Sequence, residues 1–351
     1  GAERASSGLA ATVRRVTTEL KADLVLSGGG VKGIGLSGAA VALLEAGYAI
    51  QRVSGTSAGS VVGAILAAGA DELTPAQVEQ LTMTLPYKKF LDPTHITGIP
   101  LLGPAWGVVS ETGIYKGDFA HDWIRTELAN LGVRTFGDLA IDAPNLPPEQ
   151  RYRLVVTVSD VTTGQLVRLP WDYHRLYGLD PDEQQVADAV RASMSIPFFF
   201  RAAKLTSAGG LTSTLVDGGM LSNFPIDSFD RRDGKPPRWP TFGVTLLPNL
   251  PQGNDKVIPA LAPVNWLFGG PPLIEALITT MIVGRDQAYL NQPWVASRAI
   301  RVDSSKVGFL DFNIGTKQMQ ELYQSGHDAA EAFLKSWNWN EYLERFRRPG
   351  T

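Results

Sequence analysis

Three short stretches of the chain bring together residue types whose spacing could support nucleophilic chemistry. Val53–Leu66 reads VSGTSAGSVVGAIL and sets Ser57 between Gly55 and Gly59 in the spacing G-x-S-x-G, after a strand-like run and before a helix-like one. A serine on such a turn needs small neighbours, because its strained backbone brings other chain close. The helix dipole behind it favours an alkoxide or a nearby oxyanion. The same spacing also suits an ordinary small residue in a tight bend. A second stretch, SGGGVKG, places Gly28, Gly29, Gly30 and Gly33 around Val31 and Lys32, directly after another short strand. Glycines there let the backbone turn and aim successive N–H groups at one point, a nest for a phosphate or an oxyanion. A plain glycine-rich bend remains the alternative. The third stretch, LVDGG, puts Asp217 before Gly218 and Gly219 at a strand end. A carboxylate so held lies within reach of a nucleophile, or simply caps the Gly-Gly bend.

Nucleotide-binding readings of the glycine loop fit poorly. Gly28, Gly30 and Gly33 meet G-x-G-x-x-G only loosely, and the next strand ends at Val53-Ser54-Gly55 without the acidic residue a dinucleotide site needs. Lys32 is followed by Gly33 rather than Ser or Thr, so the P-loop pattern fails. The chain has no cysteine, which removes thiolate nucleophiles, disulfides and sulfur-built zinc sites. His95, His121, His174 and His327 show no ligand spacing, and no metal is expected.

Taken together, the three stretches resemble the patatin-like phospholipase family, whose G-G-G-x-K/R-G loop, G-x-S-x-G elbow and D-G-G/A motif occur here in the family's order. GIYKGDF, TFGDL, ASMSIPFF and RAIRVD are further family-like stretches, and the resemblance runs from about Lys21 to Leu334. It implies a lipid acyl hydrolase that cleaves carboxylic esters with a Ser57–Asp217 dyad and no cofactor. Ser57 would attack the carbonyl and Asp217 take its proton. The amides of Gly28, Gly29 and Gly30, with Ala58 N–H, would hold the oxyanion. Lys32, Gly33, Gly55, Gly59, Gly218 and Gly219 would support these motifs. Burial that raises the Asp217 pKa would compensate for the weakness of a carboxylate as a base.

Two alternatives remain open. One is a non-catalytic lipid-binding or scaffold protein on the same fold. The other is a Ser57–Asp217–His327 triad, in the chain order of α/β-hydrolases. His327 lies in the helical pattern KQMQELYQSGHDAAEAFLKSW, however, whereas a triad histidine normally follows a strand.

The elements that must position these residues alternate as strand, glycine turn and helix through DLVLSGGG, GIGLSGAAVALLEAGY, AIQRVSG and SAGSVVGAILAAGA. That order predicts an α/β fold, a mainly parallel central sheet covered by helices on both faces. The resemblance implies a patatin-like three-layer sandwich. YKGDFAHDWIRTELANLG reads as an amphipathic helix, RYRLVVTVSDVTTGQLVRLP as two strands about Thr163-Gly164, and TFGVTLL as a further strand. We expect a lead-in over 1–21, one domain over 22–337 and a tail over 338–351. Apolar Pro/Gly-rich segments near 91–109 and 248–272, with Trp106, Trp266 and Phe268, read as a lid, an acyl groove or core packing.

Charge and composition narrow the partners. With 351 residues, 44% hydrophobic and 19% charged, the chain has a globular composition. A net charge of −3 with no basic cluster argues against nucleic acid. The expected partner is a lipid or ester substrate. Transient membrane-surface contact through FLKSWNWNEYLERFRR competes with plain docking of that helix. The expected location is cytoplasmic or peripheral to a membrane. Export stays open because the chain as read need not begin at the native N-terminus.

Overall fold

The computed structural model describes residues 19–92, 115–197, 199–246, 280–281, 286, 289–307 and 311–347. Nearly all of the apolar segments expected near 91–109 and 248–272, with Trp106, Trp266 and Phe268, lies outside the described residues. So do the lead-in as far as residue 18, much of the helix expected near 273–290, and the tail from residue 348.

Short runs of apolar residues become strands with both faces covered, which is why they read as continuous rather than alternating. In β1 (Leu20–Leu26), Leu24 and Leu26 enter the main core while Val25 faces a smaller cluster on the other side. β3 (Leu154–Asp160) follows the same logic, with Val155 on the far side between Leu154 and Val156, while β2 (Tyr48–Thr56) turns Ile50 and Val53 to the main core. β4 (Gln165–Leu169) and β5 (Ala203–Thr206) are shorter and more exposed. β6 (Thr212–Asp217), β7 (Thr241–Thr245) and β8 (Ala299–Arg301) complete the sheet.

The main core lies between the sheet and its helices. α1 (Gly33–Glu45) and α2 (Ala58–Ala68) are buried almost all round, as their small and apolar residues require. α3 (Pro75–Met83) starts at a Thr74–Gln77 capping box, with Pro75 as its first residue. α4 (Asp118–Asn130) buries Ala120, Ile124 and Leu128, one turn apart, and leaves its other face to solvent. α5 (Val186–Ser193) ends four residues before Pro197. α6 (Thr316–Ser336) packs along α1. Residues 338–347, within the expected tail, contribute α7 (Trp339–Phe346), where Tyr342 is buried; just after α6, Trp337 lies edge-on to Phe242 of β7 at 5.0 Å. Full burial of a phenylalanine such as Phe242 contributes about 1.5–3 kcal/mol. The opposite face of the sheet is covered by Phe224, Ile226, Phe229 and the helical turn Pro293–Ala296.

β8, β7, β1, β2 and β3 run parallel in that order, as expected for a mainly parallel sheet. The decisive detail is at β3. β4 pairs antiparallel with Val156 to Asp160 and occupies one edge of that strand. The other edge is therefore shared: β2 takes Leu154 to Thr157, and β6, antiparallel, takes Val158 to Asp160. Thr56 at the end of β2 lies opposite Thr157, and Asp217 at the end of β6 lies opposite Val158. Two strands remote in sequence thus meet end to end on neighbouring residues of a third.

Candidate active site

Ser57 sits at the meeting point of β2 and α2, with φ 53° and ψ −120°. Among the described residues it is the one non-glycine residue with positive φ. Such a backbone costs on the order of 1–3 kcal/mol and persists only where its surroundings enforce it. Here both sides of the residue are held. Ser57 N–H donates to Ser193 Oγ at 2.8 Å, and its carbonyl accepts from Ser60 N–H at 2.9 Å and Ser60 Oγ at 2.6 Å. Gly59 gives the turn its room: a Cβ there would meet the carbonyl oxygens of Leu26 and Ser27.

Asp217 is 1% exposed. Its N–H donates to the Ser195 carbonyl at 2.9 Å, and its Oδ1 accepts from Gly219 N–H at 2.8 Å. Among the described residues, Oδ2 is buried without a completed hydrogen bond and no cation acts on the carboxyl. Burial pushes its pKa up to about 7, opposed by the Ser57 hydroxyl and the Gly219 N–H. A buried carboxylate poised near neutrality and facing a strained serine suits general-base work. Gly218 lets the chain pass close over the Thr157 carbonyl, which a Cβ would strike.

The glycine loop divides into two parts. Gly28 departs from the expectation that its amide is an oxyanion donor, because that N–H is already taken by Asn223, by Oδ1 at 3.0 Å and by the carbonyl at 3.3 Å. Among the described residues, none accepts a hydrogen bond from Gly29 or Gly30 N–H. Gly30 has φ 57° and lines the same pocket as Ser57, Ala58 and Gly33. Ala58 opens α2, where the first N–H groups of a helix have no partner within it. Lys32 is largely buried, and burial lowers its pKa against the pull of Asp303. Gly55 packs against the Gly59 carbonyl and closes the elbow.

The pocket beside Ser57 has a volume of about 30 Å³ and is apolar, walled by Tyr87, Phe90, Met194, Ile196, Phe200 and Phe312. Among the described residues no histidine lines it, and none acts on Asp217. His327 lies on α6 with Nε2 bonded to the Glu45 carboxylate of α1 at 2.8 Å. His174 is exposed, and His95 lies outside the described residues. A far larger cleft of about 1670 Å³ includes Arg52, Trp171, Trp239 and Arg298, near the amino ends of β1, β2 and β7, but neither Ser57 nor Asp217. Its size is no guide to the chemistry. Ser193, Ser195 and Asn223 were missed as site residues by sequence reasoning, although ASMSIPFF and LSNFP lie within or beside recognised stretches. Only contact across the fold gives them partners.

A strand–serine–helix elbow at the carboxyl end of a mainly parallel sheet, beside a buried carboxylate, defines an α/β fold of the hydrolase type. The patatin-like phospholipase model matches residues 24–230, more than half of the chain, and the chain belongs to that family, placing it among lipid acyl hydrolases. It is 37% identical over 318 residues to YqhO of Bacillus subtilis, covering 90% of this chain and 99% of that one. An NTE family protein of Mycobacterium tuberculosis is 26% identical over 94% of this chain, which spans only 49% of that relative's length. VipD from Legionella pneumophila superposes with a TM-score of 0.49 at 19% identity, over 90% of this chain and 67% of that one. Pseudomonas aeruginosa ExoU gives 0.43 at 20% identity, over 91% and 53%. No helix among the described residues is long and apolar enough to cross a membrane.

Proposed function

We propose that this protein hydrolyses carboxylic esters of lipids through an acyl-serine intermediate, with Ser57 as nucleophile and Asp217 as general base. Ser57 Oγ forms a bond to the ester carbonyl carbon as its proton passes to Asp217. The oxyanion is met by the N–H groups of Gly29, Gly30 and Ala58, fixed in place before the reaction begins. As the tetrahedral intermediate collapses, the carbon–oxygen bond to the alcohol breaks and Asp217–H returns the proton to the leaving oxygen. Water then attacks the acyl-serine as Asp217 takes its proton, and Asp217–H passes that proton to Ser57 Oγ as the acyl C–O bond breaks and the acid leaves. Proton transfer closes between these two residues without a histidine.

One observation carries the reading: a serine at φ 53° shares a buried site with a carboxyl raised to about 7 that no cation among the described residues neutralises. The wall of Tyr87, Phe90, Phe200 and Phe312 beside Ser57 is apolar, which supports an apolar rather than a charged group next to the reacting carbonyl. The test is fluorophosphonate labelling together with p-nitrophenyl ester hydrolysis in wild type, Ser57→Ala, Asp217→Asn and His327→Ala. Loss of both signals in the first two variants, with His327→Ala near wild type, is the expected result. Loss in His327→Ala restores the triad, and an unlabelled, inactive wild type favours a lipid-binding role.

A further inference from the structure

The five residues Arg191–Ser195, at the end of α5 and just beyond it, touch both halves of the site. Ser193 is fully buried, and its single hydroxyl makes two bonds: it accepts from Ser57 N–H at 2.8 Å and donates to the Thr157 carbonyl at 2.6 Å. Two residues on, the Ser195 carbonyl accepts from Asp217 N–H at 2.9 Å. Thr157 is also the β3 residue opposite Thr56, next to the one opposite Asp217. One rigid segment is therefore bonded to the backbones of both Ser57 and Asp217.

Arg191 anchors that segment. It is 8% exposed and forms no ion pair among the described residues; Asp118 and Asp92 support its charge from farther away. Burial draws its pKa down to about 10, which leaves it cationic near neutral pH. Its guanidinium is spent on neutral acceptors instead. One terminal nitrogen donates to Ser195 Oγ, and the other to the carbonyls of Lys116 and Arg201, each at 2.7 Å. A planar fork reaches three acceptors at once, which a lysine cannot reproduce. Arg201 adjoins the pocket-lining Phe200, and Lys116 adjoins Tyr115, whose ring packs against Phe200 at 6.3 Å. Tyr115 N–H donates to Phe199 O and Arg201 N–H to Tyr115 O, both at 2.9 Å, and Phe200 lines the pocket beside Ser57.

We propose that Arg191, Ser193 and Ser195 form a positioning brace that fixes Ser57 and Asp217 relative to each other and ties them to the aromatic wall of the apolar pocket. The proposal rests on Ser57 and Asp217 being the reacting pair. Ser193 acts through the Ser57 amide: it holds the strained peptide that aims Oγ. Arg191 acts one step further out, by holding the segment that carries Ser193 and Ser195.

The test measures kcat and KM for p-nitrophenyl butyrate per site titrated with a fluorophosphonate, alongside Tm, for wild type, Ser193→Ala, Ser193→Thr and Arg191→Lys. Misplacing a reacting group by about 1 Å costs up to about 100-fold in rate, so Ser193→Ala is expected to lose about 30-fold or more in kcat per titrated site. KM should stay within about threefold, and Ser193→Thr, which keeps the hydroxyl, should recover most of the loss. Arg191→Lys should lose about 5–20-fold in kcat, again with little change in KM. A folded Ser193→Ala with kcat within about twofold of wild type overturns the brace, whatever its Tm. Should Ser193→Ala fail to fold, Arg191→Lys decides by the same criterion. Failure of the catalytic reading is seen separately, as a wild type in which Ser57 is neither labelled nor required.

Discussion

Asp217 and Asp230 are both largely buried, yet the two ends of the sheet treat them in opposite ways. At the carboxyl end, Asp217 has a backbone N–H and a serine hydroxyl for company, and burial drives its pKa up to about 7. At the amino end, Asp230 receives both terminal nitrogens of Arg298, at 2.7 and 2.8 Å, and Arg347 at 2.9 Å. Those two guanidiniums outweigh burial and hold its carboxyl below the usual range. The same end carries the ion pair of Asp23 with Arg52 at 2.6 Å. One end of the molecule has cations where carboxylates are buried; the other leaves a carboxylate without one. At Asp230 two guanidiniums hold the carboxylate ionised; at Asp23 burial outweighs the single Arg52 and the pKa is still raised; and Asp217, with no cation acting on it among the described residues, can take a proton near neutral pH.

The largest expected effect falls on Asp217. Asp217→Asn should reduce kcat/KM by about 1000-fold or more while the chain stays folded, measured on p-nitrophenyl esters. In wild type, kcat/KM should rise with pH through an apparent pKa of about 7 and fall about tenfold per unit below it, because the base must be ionised. A profile flat from pH 5 to 8 would remove Asp217 from the role of base.

Stability should separate the two carboxyls by sign. Asp217 has a raised folded pKa, so the protein gains from its proton at low pH. That gain is full below about 3.8 and is lost as pH rises through 3.8 towards about 7. Asp217→Asn should therefore stabilise the fold by about 1–3 kcal/mol at pH 8 and by much less at pH 4, read as ΔTm or urea midpoint. Asp230 has a depressed folded pKa. Its contribution is present above 3.8 and is lost as pH falls through the lower folded value. Asp230→Asn strands two guanidiniums and should destabilise by about 2–4 kcal/mol at pH 7, with kcat per folded site unchanged. Asn223→Ala should have the smallest effect, about 3–10-fold in kcat/KM, because it loosens the Gly28 end of the glycine loop without touching Ser57.

Much of the fold was legible in the order of residues. Apolar runs ending in glycine marked β1 and β2, and DFAHDWIRTELAN carried a helical stripe that became α4. The G-T-S-A-G spacing singled out Ser57, since few residue types fit a turn whose neighbours lie against the backbone of Leu26 and Ser27. Gly28 was misjudged as a free donor because its acceptor, Asn223, lies 195 residues away. Ser193 gave no sign of its role for the same reason: its partners Ser57 and Thr157 are 136 and 36 residues distant.

The order of amino acids alone set which residue types could react and that short strands would alternate with buried helices, because sterics and hydrophobic periodicity act over a few residues. That Asp217 caps its own Gly-Gly turn lay within that range; the raised pKa that suits it to base work did not. Pairing of distant strands brought β2 and β6 end to end on β3, buried Asp217 with no cation acting on it among the described residues, and drew on α5 to hold Ser57 at φ 53°. A carboxyl's proton affinity is set by everything packed around it, and that neighbourhood exists only once distant strands have paired.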